Sequence, residues 1–417
     1  MTKIILQNVR VFDGEVLLKA NNVIMAHSAG NIMNPFNDDG SVVEVADVVV
    51  DGHGCTLLPG LIDVDVNIKG ASSAIGEFAT CGVTTVIDLS SSTQQCQAMR
   101  IYTSCRTKLP AVLFAGTEAT PSHHTRPYDD NPNEIILRTP EDAVTFAAAS
   151  ASGPDHTDFV KVVVDSFSLD DTLLKVIVDS VHAHKMLAIA RTAGNASYDR
   201  ALRAGFDVFV HAPLDSPLGP ELAREMAVQG KVFVPTLGTM LNFAAHAPPL
   251  SSPLEIISDG NMRASPPEDM SAEGLKGAGS NSKPGSVKVY DYSNAVASVR
   301  VLYEAGVTIC AGTTANLMPD IKIPFGESLH RELELLVEAG MSRLDVLRSA
   351  TCVAAKAFRL LDRGIVQSGL RADLLLVKGN PLEDITATRK VERVWIRGEE
   401  ISLERVFSTT LDTDVPI

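Results

Sequence analysis

The stretch LLPGLIDVDVNIKG, residues 57–70, decides how the rest of the chain is read. Within it, LIDVDVN is a short run rich in β-branched residues that passes into a few loop residues and then into an amphipathic helical pattern. The same phrase returns seven times before about residue 360, as GVTTVIDL (82–89), PAVLFAG (110–116), DFVKVVVD (158–165), KMLAIAR (185–191), FDVFVHA (206–212), KVFVPTL (231–237) and GVTICAG (306–312). Strand and helix alternating in this way imply a parallel sheet, and eight units imply an α/β chain closed into a (β/α)8 TIM barrel.

Residues 1–57 read as strands and turns, and so does LRADLLLVKGNPLEDITATRKVERVWIRGEEI (370–401), with Gly379-Asn380-Pro381 as a turn. Neither flank is long enough to close its own core, so the simplest organisation pairs 1–57 with 366–417 in one small β-sandwich around a barrel of 58–365. Residues 242–291, rich in Pro, Ser and Gly, follow the seventh strand at the catalytic end of such a barrel; they read as a lid or as local disorder, with the lid preferred.

Composition narrows the function classes. Apolar residues make up 45% and charged residues 21%, ordinary values for a globular protein. Against 36 Lys+Arg stand 51 Asp+Glu, a formal charge of -15, which argues against nucleic acid or anionic membrane as a partner. Six separated cysteines without CxxC spacing read as reduced thiols, and the opening MTKIILQNVRVFDGEV lacks a signal-peptide pattern. A cytoplasmic, non-membrane protein is the expectation. No nucleotide-binding motif such as GxGxxG occurs in a strand-to-helix setting, so no organic cofactor is expected.

In order along nearly the whole chain, LLPGLID, GVTTVID, DFVKVVVD, RALRAGFDVFVHAPLD, VFVPTL, AGVTICAGT, FGESLHRELELLVEAGMSRLDVLRSAT and GLRADLLLVKGNPLEDI resemble the amidohydrolase superfamily, in its imidazolonepropionase- and prolidase-like branch. The resemblance implies the same barrel and terminal sandwich, and a homodimer is the family-based guess. It also implies one or two divalent metals, usually zinc, held by an HxH pair on the first strand, a lysine (often carboxylated) or glutamate on the fourth, histidines on the fifth and sixth, and an aspartate on the eighth. Carried over, those positions are Asp65 and Asn67, Lys161, Ala190, His211, and Thr314 in Gly312-Thr313-Thr314.

Only Lys161 and His211 keep the usual identity. Alanine has no donor atom, asparagine offers a neutral carbonyl and threonine is a feeble ligand, so no tight metal site is expected. The resemblance instead brings Asp65, Lys161 and His211 to one centre, where an ammonium paired with Asp65 would stand in for the missing cation. A purely structural ion pair and a catalytic one are both open. If catalytic, Lys161 is either a neutral amine, serving as acid/base or Schiff-base former, or a charged group that stabilises an oxyanion; the charged form is preferred. His211, at a strand's C-terminal end, is read as general acid/base.

Asn67, Arg191 and Thr314 are expected to contact substrate, as are His123, His124 and Tyr128 from the loop GTEATPSHHTRPYDD (116–130), although adjacent histidines diverge and a surface loop is a close rival. Glu327 and His330 are read as helix-capping at least as readily as catalytic. The leading expectation is a metal-independent enzyme acting on a small organic molecule by isomerisation, cyclisation, decarboxylation or C–C bond chemistry, with specialised metabolism as an analogy. The runner-up is a C–N hydrolase with a weak mononuclear site, zinc held by Asp65, His211 and modified Lys161. A non-catalytic binding protein is the third reading.

Overall fold

The computed structural model describes residues 3–18, 23–26, 30–33, 46–69, 71–121, 134–164, 171–192, 194–246, 254–256, 262–264, 290–316 and 322–403. Each of the eight β-branched runs contains a strand. These are β1 (Leu61–Val66), β2 (Val83–Asp88), β3 (Ala111–Phe114), β4 (Val160–Val163), β5 (Ala188–Arg191), β6 (Val208–Val210), β7 (Val232–Val234) and β8 (Thr308–Ile309). By contacts the chain divides into two compact units, residues 1–115, 309–317 and 322–417 in the first, and 116–308 and 318–321 in the second. That division cuts through the run of strands rather than falling at the boundaries 57 and 366.

In the first unit the two chain ends do pair. Strand Leu374–Lys378 runs antiparallel to Cys55–Pro59, with Leu374 opposite Pro59 and Lys378 opposite Cys55, and on its other side pairs with Val391–Ile396. A second, four-stranded sheet has Lys3–Gln7 between Val23–Ala26 and Val48–Asp51. Alternate residues of both sheets point into one core of Ile4, Leu6, Val11, Leu57, Leu374 and Trp395, among others. Burying such side chains contributes roughly 1.5–3 kcal/mol each, and this shared core draws on both flanks.

One glycine fixes how the amino-terminal turn meets the chain near residue 364. Gly14 has φ +113°, and a Cβ there would lie 2.4 Å from the Gly364 carbonyl oxygen, a backbone atom that no rotamer change can move aside. Gly14→Ala is therefore expected to lower stability by roughly 3 kcal/mol, read as a shifted denaturant midpoint at unchanged slope.

The same unit carries β1, β2 and β3 as a parallel set, β1 pairing with β2 and β2 with β3. Asp88 ends β2 and accepts hydrogen bonds from the amides of Ser90 and Ser91 (both 2.8 Å), the Ser91 hydroxyl (2.6 Å) and the Ile68 amide (3.2 Å), so it shapes the loop that leaves β1. The helix Glu327–Glu338 has Gly326 at its N-cap and no side-chain capping bond; Glu327 pairs with Arg389, and His330 Nε2 meets the Cys81 carbonyl at 3.0 Å. Burial, then the nearby Arg389 charge, pushes the His330 imidazole down to about 4.

The second unit carries β4 to β7 as consecutive parallel neighbours, each followed by a helix: Asp171–Ala183, Asn195–Ala204, Pro220–Val228 and Leu237–His246. Two sequence expectations are corrected here. The stretch read as a loop after the third strand contains a strand, Glu118–Pro121, paired parallel with β4 and with Glu134–Leu137; its EATP sequence has no apolar run to announce it. The expected lid does not begin at residue 242, because Asn242 to His246 close the helix that follows β7. Beyond it, Leu254–Ile256 and Met262–Ala264 form a short antiparallel pair, and the rest of the insertion up to Tyr290 lies outside the described residues, as do His123, His124 and Tyr128.

Candidate active site

Strand register decides which side chains of the second unit meet. Ala119 pairs with Val162, Lys161 with Ile189 and Val163 with Arg191. Since side chains alternate along a strand, Glu118, Lys161 and Arg191 share one sheet face. All three are buried, and Glu118 binds both cations: Lys161 Nζ lies 3.3 Å from Oε2, and Arg191 Nη1 donates to Oε1 at 2.9 Å. Within this unit the ion-pair partner of Lys161 is Glu118. A carboxylate from the strand after β3 was missed because its neighbours Thr117 and Thr120 are polar and gave the segment no strand signature.

Ala190, read as the lost fifth-strand ligand, pairs with Val162 and Phe209 and shares their face. The β5 residues on the Lys161 face are Ile189 and Arg191, of which Arg191 is the polar one. The substitution at that point is better described as a guanidinium for an imidazole than as a simple deletion.

His211 follows β6 and is held at three points. Its amide donates to the Val234 carbonyl (2.9 Å), its carbonyl accepts from the Tyr198 hydroxyl (2.5 Å), and Nδ1 lies 2.9 Å from the Thr236 hydroxyl oxygen. Burial, then the positive charges of Lys161 and Arg191, hold this imidazole well below its ordinary value of 6.5, so it is neutral at physiological pH. With Nδ1 engaged by Thr236, Nε2 is the nitrogen left for proton transfer. Tyr198 and Thr236 gave no sequence signal, because their role depends on the turns after β6 and β7.

The first unit contributes a different set. Asp63, Asp65 and Asn67 follow one another at alternate positions from β1, and all are buried. Asp63 accepts from the Thr313 amide (3.1 Å) and hydroxyl (2.7 Å), while Asp65 accepts from the Thr314 hydroxyl at 2.9 Å. The Thr313 and Thr314 amides also donate to the Asp65 carbonyl. These bonds clasp the segment after β8 against β1. Burial, partly offset by the Thr313 hydrogen bond, raises the Asp63 carboxyl well above the ordinary carboxylate range.

Backbone strain is present at these strand ends. His211 (φ 75°), Thr236 (φ 49°) and Thr314 (φ 53°) are non-glycine residues in the left-handed region, and Thr is β-branched. Such conformations cost on the order of 1–3 kcal/mol each and persist where the surroundings impose them, commonly at functional sites.

A family model matches the resemblance drawn from the sequence: the Amidohydrolase family, over residues 56–401. The chain belongs to the amidohydrolase family. Among solved structures it is similar to a Xaa-Pro dipeptidase with bound methionine (21% identity, TM-score 0.74, 96% of this chain and 100% of that one). It is likewise similar to molinate hydrolase (17%, TM-score 0.75, 100% and 98%) and to A. niger ochratoxinase (17%, TM-score 0.71, 96% and 95%). These likenesses show the fold, an α/β TIM-barrel-like fold with a β-sheet domain. A curated relative, the adenine deaminase of Lysinibacillus sphaericus (strain C3-41), is 29% identical over 75 residues, 18% of this chain and 12% of that protein's length.

The donor set does not fit the metal that this family's fold implies. The Lys161 amine faces the Glu118 carboxylate, which would repel a carbamate formed on that nitrogen. Glu118 is engaged by two cations, Ala190 brings no donor, and among the described residues no group of three or more His, Cys, Asp or Glu side chains is arranged to hold an ion.

Proposed function

We propose that this amidohydrolase hydrolyses a C–N bond of a small organic molecule, using its own side chains for proton transfer and charge stabilisation. The observation that carries the reading is His211, buried and neutral beside two buried cations on one sheet face. Neutral Nε2 takes a proton from water, the resulting hydroxide adds to the substrate carbonyl carbon, and the oxyanion is stabilised by the charges of Lys161 and Arg191. When the C–N bond breaks, the leaving nitrogen takes the proton back from His211. The names of the neighbours, a dipeptidase and molinate hydrolase with phenylurea hydrolase B beside them, support the hydrolytic direction.

One observation favours a second reading. The replacement of metal-ligand types at Asn67, on the fifth strand and at Thr314 removes the usual means of activating water, and proton transfer with oxyanion stabilisation also serves isomerisation, cyclisation or decarboxylation. Incubating the purified chain with Xaa-Pro dipeptides, phenylureas and carbamates in 18O-labelled water separates the two. Label is expected in the carboxylate released from a dipeptide, or in the CO2 released when the carbamic acid from a phenylurea or carbamate decarboxylates, whereas turnover with no label in either would overturn hydrolysis. Elemental analysis of the same sample is expected to find far less than one zinc per chain, with turnover insensitive to chelation. Stoichiometric zinc lost together with activity would overturn the side-chain mechanism.

Thr236 supplies a finer test. Thr236→Val keeps the shape and removes the hydroxyl that orients Nδ1. A single hydrogen bond is worth about 1–1.5 kcal/mol, so kcat should fall roughly tenfold with KM unchanged.

No helix among the described residues is long and apolar enough to cross a membrane. We keep a small molecule as the binding partner, the substrate contacts proposed for His123, His124 and Tyr128, and a homodimer as the assembly to be tested by light scattering.

A further inference from the structure

We infer that Asn67 is a specificity residue, a buried amide that accepts a hydrogen bond from an N–H of the bound molecule, in a subsite formed by the end of β1 and the segment after β8. Asn67 is only 3% exposed. Its backbone amide is satisfied by the Ala315 carbonyl at 2.8 Å, but its side-chain oxygen is fully buried and accepts no hydrogen bond from the described residues.

The surroundings make that exception informative. The Thr314 hydroxyl donates to Asp65, the Asn316 side chain donates to the Thr314 carbonyl at 2.9 Å, the Thr313 hydroxyl donates to Asp63, and Asp88 accepts from Ile68 next to Asn67. The Thr313 and Thr314 hydroxyls thus hold β1 against the segment after β8, and none of these donors reaches the Asn67 side-chain oxygen. Folded proteins rarely leave a buried polar group unmet, because its desolvation is then uncompensated. Left-handed backbone on either side, at Lys69 (φ 36°) and Thr314 (φ 53°), indicates that the fold imposes this arrangement.

An acceptor that the protein does not satisfy calls for a donor in the ligand. On the C–N reading above, on which the choice of probe rests, the donor is the N–H of a primary or secondary amide. A buried acceptor also discriminates strongly, since an alkylated analogue leaves it unpaired in the complex as well as excluding water from it.

The test uses benzamide and N,N-dimethylbenzamide as probes, titrated into the full chain and followed by ligand-observed NMR, with the thermal midpoint measured for each variant. The wild-type chain is expected to prefer benzamide by about tenfold, the worth of one buried hydrogen bond. Asn67→Leu should abolish the preference while keeping or raising the midpoint, because it replaces an unmet polar group by an apolar one of similar size. Equal treatment of the two amides by the wild type, including binding of neither, overturns the inference. So does a preference that survives in Asn67→Leu, or a midpoint that drops by several degrees, which would mark a structural role. Should Asn67→Leu not fold, Asn67→Ser is read by the same criteria. Turnover does not enter this readout, so a failed preference leaves the hydrolytic proposal standing, and a failed hydrolysis assay leaves the preference intact.

Discussion

His211→Asn is expected to reduce kcat by about 10²- to 10⁴-fold, the usual contribution of a positioned general base, while leaving the fold in place. Asparagine is the informative replacement, because His211 has φ 75° and asparagine tolerates that region better than alanine. The hydrogen bonds of the residue-211 amide and carbonyl to Val234 and Tyr198 are backbone bonds at that position and survive the change. A loss well under tenfold would remove His211 from the chemistry.

The pH profile gives an independent check of the same residue. Burial, then Lys161 and Arg191, depress the imidazole below 6.5, so the wild-type rate should stay level from pH 8 through 6.5 and fall only at lower pH, where the neutral form is lost. A limb centred at or above 6.5 would contradict the assignment. Stability follows the same sign: in the unfolded chain the group binds a proton near pH 6.5, so its contribution is fully present above that value and is lost as pH falls through the depressed native value. His211→Asn should therefore be less acid-sensitive than the wild type.

The second large effect is on stability. Glu118→Ala removes the carboxylate that both Lys161 and Arg191 bind, and stranding buried charge in this way costs about 3–5 kcal/mol. The side chains of Glu118 and Lys161 are 3% and 4% exposed, so solvent screening does not soften the loss. The exposed pair Lys175–Asp179 is the control: with 58% and 60% exposure, Lys175→Ala should change stability by no more than about 0.5 kcal/mol. Combining Glu118→Gln with Lys161→Met removes a charge of each sign, and chemical denaturation should show the pair far less destabilised than the sum of the single variants. Additive losses would mean that Glu118 and Lys161 are not coupled.

The sequence carried the strand series because β-branched runs followed by helical periodicity are local patterns, and each of the eight runs holds a strand. It also nominated Lys161, through the resemblance to a fourth-strand lysine, and His211, as the residue that follows the apolar run of β6. Glu118 was not legible. Its segment pairs with β4 without an apolar pattern of its own, and its role follows from a carboxylate arriving between two cations that lie 43 and 73 residues further along the chain. The exchange of roles between Ala190 and Arg191 was hidden for a related reason, because a one-residue difference in reading moves a side chain to the opposite face of a sheet.

By itself, then, the sequence determined the order of the strands and the residue types within each run, which depend on neighbours along the chain, while the shortness of each terminal flank implied that the two would pair. Only the tertiary structure decided which of those groups meet. Interaction between buried charges depends on separations of a few ångströms and on exclusion of water, and both are set by strand register and by turns such as those at His211, Thr236 and Thr314, whose left-handed backbone no local propensity would favour.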